Sequence, residues 1–274
     1  MTRITYFLVF VLFLGTTSIA LASGDDGGAD LAYAVSATAQ FGVVTPETGD
    51  FHLVGITTSV LSGLALGPKQ VIYSLDAANN LVTVNPATAT TTVIGNTGLP
   101  VSANGNVTLI TFLGKGLLFA VDPNNDLYSL NLATGLATKI GATGIPVPDF
   151  VNCVTGNSLA GANGHLYFTW QVDDMTGLCQ SITPSTLYRI NPYTGAAVSV
   201  GATGAAAPIV GAGFIDDTLY GFTFGLPVNL PNQILALDLV TGNATLVHNQ
   251  AANLDSVFGA IRTPRGASSA CANQ

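Results

Sequence analysis

Apolar and polar residues alternate with a period of two along short stretches of this chain. In LYRIN, residues 187–191, Tyr188 and Ile190 fall on one side of an extended chain and the other three residues on the opposite side. Such alternation predicts a β-strand. Asn-Pro-x-Thr-Gly follows at residues 191–195, where proline presets one turn dihedral and glycine accepts a positive φ. The β-branched residues at 198–200 come next, so the sequence predicts a β-hairpin.

This hairpin recurs five times. Residues 187–204 read LYRINPYTGAAVSVGATG, and residues 127–144 read LYSLNLATGLATKIGATG in the same register. The five copies begin at residues 41, 81, 127, 187 and 234, which gives spacings of 40, 46, 60 and 47 residues. Two more strands precede most copies, as at residues 61–67 and 71–76. Four strands at this period, named A to D, predict the blade of a β-propeller.

The N-terminal copy lacks an A strand, and the C-terminus supplies one. Residues 31–36 read as the B strand of the first copy, whereas SVFGAIR, residues 256–262, reads as an A strand without a successor. Joining the two leaves no free sheet edge. The sequence therefore predicts an all-β fold: a five-bladed β-propeller of four-stranded antiparallel blades, closed by a C-terminal A strand that completes the N-terminal blade. Residues 31–263 form this single domain.

The A strands are mostly built from small residues. SGLALG at residues 62–67 and VGAGFI at residues 210–215 suit a narrow centre, where backbones approach one another closely. SLAGANG at residues 158–164 is predicted to be the A strand of the fourth blade. VTLITFLG at residues 107–114 is bulkier and fits this pattern less well.

Composition and the N-terminus predict an exported protein. Residues 1–22 resemble a signal peptide, with Arg3, an apolar run at residues 6–14 and an Ala-x-Ala cleavage site at residues 20–22. A flexible lead-in, residues 23–30, and a polar tail, residues 264–274, flank the propeller. We expect no membrane span in the mature chain and localisation outside the cytoplasm, extracellular or periplasmic. The net charge of −8 and the absence of a basic stripe exclude nucleic acid as an expected partner.

Two cysteines are predicted to form a disulfide. The 60-residue spacing exceeds its neighbours by about 14 residues, and the excess lies at residues 172–185, between strands B and C of the fourth blade. Cys179 lies in this enlarged loop and Cys153 in the D–A connection that precedes the same blade. The D–A and B–C loops of a meander emerge on one face, and an exported protein favours the oxidised pair. Cys271 is left over in the tail.

The repeat pattern LY-x-I/L-N/D-x-x-TG-x-x-x-x-IG-x-TG resembles secreted bacterial β-propeller repeat proteins, including the DUF4394-like and YVTN-like groups. The matching residues cover nearly the whole mature chain. A GIDFRP-type motif of the first group has a loose counterpart at residues 61–68, LSGLALGP. The resemblance implies an extracellular or periplasmic repeat protein and no particular reaction.

Candidate chemistry is sparse. A glycosidase needs two positioned carboxylates, yet Glu47 is the one glutamate of the chain, and it lies in a predicted turn. Residues 122–126, DPNND, partly resemble a calcium loop but lack its glycine and bidentate glutamate, so turn formation is the favoured interpretation. Three histidines are spread over three blades: His52, His165 and His248. We therefore expect no metal and no cofactor. Asn106 and Asn243 begin glycosylation sequons, which matter only in a eukaryotic source.

The face that carries the D–A and B–C loops is the predicted site, because loops on a rigid scaffold commonly bind ligands. Its candidate ligand-binding residues are Asp173, Asp174, Asn106, Asn157 and Asp255. We expect a binding or adhesion module for a protein or a glycan. Two alternatives stay open: a hydrolase or lyase with a site at the channel mouth, and a structural envelope protein without a small ligand. The sequence assigns no catalytic residue.

Overall fold

A computed structural model describes residues 30–100, 108–114, 116–148, 153–174, 183–224 and 231–263. Twenty strands in these residues form five four-stranded antiparallel sheets. Blade 1 contains β1 (Ala32–Ser36), β2 (Gln40–Val44) and β3 (Phe51–Ile56); blade 2 contains β4 (Ser62–Leu66), β5 (Ile72–Leu75), β6 (Asn80–Val84) and β7 (Thr91–Asn96); blade 3 contains β8 (Leu109–Phe112), β9 (Leu118–Val121), β10 (Asp126–Leu130) and β11 (Ala137–Ala142); blade 4 contains β12 (Cys153–Ala162), β13 (His165–Asp174), β14 (Thr183–Ile190) and β15 (Ala197–Ala202); blade 5 contains β16 (Ile209–Ile215), β17 (Thr218–Thr223), β18 (Gln233–Leu237) and β19 (Ala244–Asn249), and β20 (Val257–Arg262) completes blade 1.

The five sheets stand in a ring, which confirms the predicted five-bladed β-propeller. The predicted closure is confirmed as well. Strand β20 pairs antiparallel with β1, from Ala32 opposite Arg262 to Ser36 opposite Val257. The two ends of the propeller domain therefore lie side by side in one sheet, and blade 1 has the same strand order as the other four.

The apolar core is divided into five clusters, each between two neighbouring blades. Strand β1 shows how the sequence produces this arrangement. Ala32 and Ala34 pack toward blade 5, and Tyr33 and Val35 pack toward blade 2. A strand that is covered on both faces has apolar residues at odd and at even positions. The inner strands therefore read as nearly continuous apolar runs. Burial between neighbouring sheets stabilises the ring.

Residues of the repeat signature hold the C–D turns. The Asn191 side-chain oxygen accepts hydrogen bonds from the backbone N–H groups of Tyr193 at 2.8 Å and Thr194 at 3.3 Å. Asn131 and Asp238 make the equivalent pair of bonds in blades 3 and 5. The first polar residue of the motif is thus a side-chain cap for its own turn, as short amide and carboxyl side chains favour.

The glycines of the signature form the seams between blades. Gly195 has a φ of 82°, and a Cβ atom there would lie 2.7 Å from the carbonyl oxygen of Gly141 in the preceding blade. The same contact joins Gly135 to Gly95 at 2.5 Å. Glycine is favoured at these turns for two reasons, the positive φ and the close backbone approach.

The outermost strands also connect blade to blade through backbone hydrogen bonds. The carbonyl oxygen of Thr97, just after β7, accepts a bond of 3.0 Å from the N–H of Ala137, the first residue of β11. Thr143 and Ala197 repeat this bond at 3.0 Å between the next two blades. The IG-x-TG part of the repeat therefore contributes to the outer edge of each seam.

Three strand boundaries of blade 4 differ from the prediction. Strand β12 begins at Cys153, five residues before the predicted A strand, and β13 continues to Asp174. Strand β14 begins at Thr183, inside the segment predicted to be loop. Each extra residue of β12 and β13 has a partner, because these two strands pair without a break from Ala162 opposite His165 to Cys153 opposite Asp174. The added start of β14 pairs through Thr183, opposite Val172, with an irregularity before Thr186. The connection between β13 and β14 is accordingly shorter than predicted.

Candidate ligand-binding faces

The meander topology gives the ring two chemically different faces. The D–A/B–C face lies where the A strands begin, and the A–B/C–D face lies where they end. The sequence predicted the ligand-binding residues on the D–A/B–C face. A described feature on each face is relevant to binding: a lengthened hairpin on the first and an axial cavity on the second.

Blade 4 extends beyond the other blades on the D–A/B–C face. Strands β12 and β13 have 10 residues each, whereas the A and B strands of the other blades have 4 to 7. At a rise of about 3.3 Å per residue, the excess corresponds to roughly 10–20 Å of hairpin. We call residues 153–157 and 170–174 the blade 4 arm.

The base of the arm is anchored on both sides. Trp170 is 1% exposed and belongs to the same apolar cluster as Ile145, which lies in the connection after blade 3. Its ring stacks on Phe168 with centroids 5.9 Å apart. On the other side Gly156 lies against Pro208, where a Cβ atom would come within 2.5 Å of the proline side chain. The arm therefore rises from a packed base on a rigid blade.

The predicted aspartates lie on this arm and not in a loop. Asp173 and Asp174 are the last two residues of β13, opposite Val154 and Cys153 of β12. Their predicted place in an enlarged B–C loop is wrong, because β13 continues through both of them. They remain on the predicted face, at the end of the arm farthest from the A–B turn.

Of the other predicted residues, Asn157 and Asp255 lie on different blades. Asn157 is 4% exposed and lies opposite Trp170 inside β12, four residues after that strand begins. Asp255 precedes β20 in blade 1, where its carboxylate accepts the N–H of Ser256 at 2.7 Å. Blade 5 stands between these two residues. Asn106 lies outside the described residues.

The disulfide prediction is only partly within the described residues. Cys153 is the first residue of β12, so its predicted place in the D–A loop is wrong by a short margin. It stands opposite Asp174, from which the chain continues toward Cys179. Cys179 and Cys271 lie outside the described residues, and the pairing of Cys153 with Cys179 stays a prediction.

An axial cavity opens toward the A–B/C–D face. Its volume is about 180 Å³, and the C-terminal halves of all five A strands line it. Most of the lining residues are apolar, such as Leu64, Phe112, Phe214 and Ile261, and Arg262 is the charged residue in the lining. Glycines let the A strands approach one another closely, as the sequence predicted: a Cβ atom would lie 2.4 Å from the Phe112 carbonyl oxygen at Gly161 and 2.0 Å from the Ala260 carbonyl oxygen at Gly213. The cavity itself was not predicted.

Charged groups surround Arg262 at the junction of blades 5 and 1. Its guanidinium forms an ion pair with Asp216 in the A–B turn of blade 5. A side-chain hydrogen bond with Asp216 is the main cause that raises the pKa of Asp30 above its usual value, while Arg262 acts in the opposite direction. The hydroxyl of Tyr220 donates to a Glu47 carboxylate oxygen at 2.9 Å. Burial and then this bond raise the pKa of Tyr220 to about 12.

The calcium-like segment forms a B–C turn. The Asp122 Oδ1 atom accepts the backbone N–H groups of Asn124 at 3.0 Å and Asp126 at 2.9 Å. Asp76 makes the same two kinds of bond in blade 2, which is the turn role that the sequence favoured. Burial is the main cause that raises the pKa of Asp122.

Histidines and possible metal ligands do not converge within the described part of the chain. His52 and His248 are exposed on the outer strands β3 and β19, and His165 begins β13. Among the described residues, no group of three or more His, Cys, Asp or Glu side chains is arranged to hold a metal ion. The same residues contain no helix that is both long and apolar enough to cross a membrane.

Sequence reasoning missed the cavity and the charged groups beside it. Arg262 ends the predicted closing strand, and Asp30 precedes its partner strand, so their proximity follows from the predicted closure. Asp216 and Glu47 come from turns of two different blades, and their proximity depends on the blade-to-blade geometry. No protein-family model matches the chain, and no curated protein is significantly similar to it.

Proposed function

We propose that the protein is a secreted binding or adhesion module that engages a protein or a glycan through its D–A/B–C face. The blade 4 arm is the observation that carries this proposal. The residues of the repeat signature already cap turns and join blades, so the arm is an addition that ring closure does not require. Added structure on a rigid scaffold is a common place for binding residues.

The arm offers chemistry suited to recognition. Its base is fixed by Trp170 in the apolar cluster between blades 3 and 4, which reduces the entropy lost when a partner binds. Asp173 and Asp174, two acidic residues in a protein with only 8% charged residues, are the last two residues of its strand β13. Carboxylates accept hydrogen bonds from sugar hydroxyls and pair with basic groups of proteins. The resemblance to secreted propeller repeat proteins supports the secreted location and no particular activity.

The test uses the mature protein, residues 23–274, on a glycan array and against a panel of extracellular proteins. The double variant Asp173→Asn, Asp174→Asn removes two charges from the arm. The double variant Asp50→Asn, Asp217→Asn removes two exposed charges from the A–B/C–D face and is the matched control. We expect saturable binding that weakens about tenfold in the arm variant and stays unchanged in the control.

Other results would contradict the proposal. Equal weakening in both double variants would mean that net charge and not the arm governs binding. Turnover of a glycan without saturable binding through the arm would favour the hydrolase or lyase. Absence of both binding and turnover would favour a structural envelope protein.

A further inference from the structure

The axial cavity has the size of one small ring. An enclosed apolar cavity of about 150 Å³ accepts benzene, and this one measures about 180 Å³. Leu64, Leu66, Phe112, Phe214 and Ile261 are among the larger apolar residues that line it. A single aromatic ring or a branched alkyl group fills such a volume.

All five blades contribute to the wall, so the cavity exists only when the ring is closed. Arg262 is both a lining residue and the last residue of the closing strand β20. Its ion pair with Asp216 holds the guanidinium beside the A–B turn of blade 5. A planar guanidinium next to an apolar pocket also offers a face on which an aromatic ring can stack.

The charged groups around Arg262 carry an excess of acid. Asp30, Glu47 and Asp216 provide three carboxyl groups for the single guanidinium of Arg262, and these four residues interact with one another. Carboxyl groups held close together repel when ionised, and a bound cation relieves this repulsion. A carboxylate ligand would add to it. Charge therefore favours an amine over an acid as the polar end of a ligand.

We propose that the end of the axial channel on the A–B/C–D face binds a small apolar amine. The apolar group, an aromatic ring or a branched alkyl chain, occupies the cavity, and the ammonium group lies toward Asp30, Glu47 and Asp216. The same chemistry is found in a free arylalkylamine and in the N-terminal aromatic residue of a peptide. This site is separate from the blade 4 arm and does not depend on the function proposed for it.

Binding of three matched probes to the mature protein, followed by calorimetry and by NMR shifts, tests the charge preference. The probes are 2-phenylethylamine, 2-phenylethanol and 3-phenylpropionate, which share the ring and differ in the polar end. We expect the amine to bind about threefold to fivefold more tightly than the alcohol, because a partly exposed charge contact contributes little, and the acid to bind most weakly. Failure of all three to bind, or an acid that binds as tightly as the amine, would overturn the proposal.

Two kinds of variant test the location. Ala212→Leu adds bulk at a lining residue that also packs between blades 4 and 5, and it should abolish binding of the amine and the alcohol alike. Glu47→Gln keeps an acceptor for Tyr220 and removes one charge, so it should reduce the preference for the amine and leave the alcohol unaffected. If Ala212→Leu does not fold, Leu66→Ala serves in its place, because a larger cavity should shift preference toward a naphthyl amine. Binding that none of these variants changes would overturn the assignment.

A comparison with a peptide ligand identifies the source of the ligand. Phe-Gly-Gly with a free α-amine is compared with its N-acetylated form, which lacks the positive charge. Tighter binding of the free peptide than of 2-phenylethylamine would support a polypeptide terminus as the ligand, and weaker binding would support a small molecule. The Asp173→Asn, Asp174→Asn variant should bind all these probes like the unmodified protein, so failure here and failure of the arm proposal are distinguishable.

Discussion

Individual residues of the repeat have identifiable physical tasks. Asn191 caps a turn, Gly195 supplies a positive φ, and Gly141 allows the next blade to approach. Blade 2 is the informative exception, because Ala89 occupies the glycine position of the turn with a φ of 60°. A non-glycine residue in this conformation costs roughly 1–2 kcal/mol. Ala89 is fully buried between blades 1 and 2, and burial of its methyl group offsets part of that cost.

Two alanine substitutions separate the two tasks of glycine. Gly195→Ala adds a Cβ atom 2.7 Å from the Gly141 carbonyl oxygen, whereas Gly204→Ala, at a φ of 68°, meets nothing within 4 Å. We expect Gly204→Ala to lower the free energy of unfolding by about 1 kcal/mol through backbone strain. Gly195→Ala should lower it by about 2–4 kcal/mol, since the seam must also shift. Urea unfolding measures both values, and equal losses would contradict the seam contact.

Turn residues could be predicted from the sequence, because a cap and its turn are only a few residues apart. Residues 122–126 are interpreted in this way from the sequence, and Asp122 accepts backbone N–H groups of its own turn, as Asp76 does in blade 2. The seam role of Gly141 could not be predicted. It depends on where the next blade lies, and that position follows from packing and not from local conformation.

At the scale of elements, blade 4 has strands that are longer than the sequence pattern predicted. Leu166, Phe168, Trp170 and Val172 alternate with less apolar residues along the whole of β13, so the period of two continued beyond the predicted strand end. The 14-residue excess in spacing was assigned to a loop because insertions usually lie in loops. Here a part of the excess lengthens paired strands. How far a strand continues depends on whether a partner strand lies beside it. Here β12 and β13 hydrogen-bond to each other over ten residues, and this pairing stabilises both extended strands.

The arm makes the predicted disulfide testable. Cys153 starts β12 opposite Asp174, and Cys179 is five residues further along the chain, which is within reach of a bridge. The two cysteines are 26 residues apart, so the bridge should stabilise the fold by roughly 3 kcal/mol in the chain-entropy model. We expect peptide mapping of the non-reduced mature protein to recover a Cys153–Cys179 cross-link.

A Cys271→Ser variant is the control for that bridge, and it should keep both the cross-link and the melting temperature. A cross-link that contains Cys271, or two alkylatable thiols at residues 153 and 179, would refute the pairing. If loss of the bridge lowers stability and leaves partner binding unchanged, the arm is scaffold only and the role of its two aspartates in binding is refuted with it.

For the whole molecule, the number of blades and the closure could be predicted because five hairpin copies and one displaced A strand are visible in the sequence. The cavity on the axis could not. Its volume of about 180 Å³ depends on how far five A strands stand from the axis, and no single strand contains that information. The D–A/B–C face was predicted correctly as the place of extra structure, since an insertion shows itself as a longer spacing.

The closing strand should determine whether the ring stays intact. Val257 and Ala260 pack in the cluster between blades 5 and 1, and Ile261 packs in the cluster between blades 1 and 2. Deletion of residues 256–262 removes wall from both clusters and exposes the edge of β1, whose backbone then offers unpaired hydrogen-bonding groups to other chains. The packing free energy lost in this deletion is large compared with the net stability of a folded domain, which is about 5–15 kcal/mol. We expect this truncated protein to aggregate and to melt at a lower temperature in light scattering and calorimetry.

Deletion of residues 264–274 leaves β20 complete and should give a monomer with an unchanged melting temperature. A monomeric 256–262 deletion with the original melting temperature would show that β20 does not close the ring.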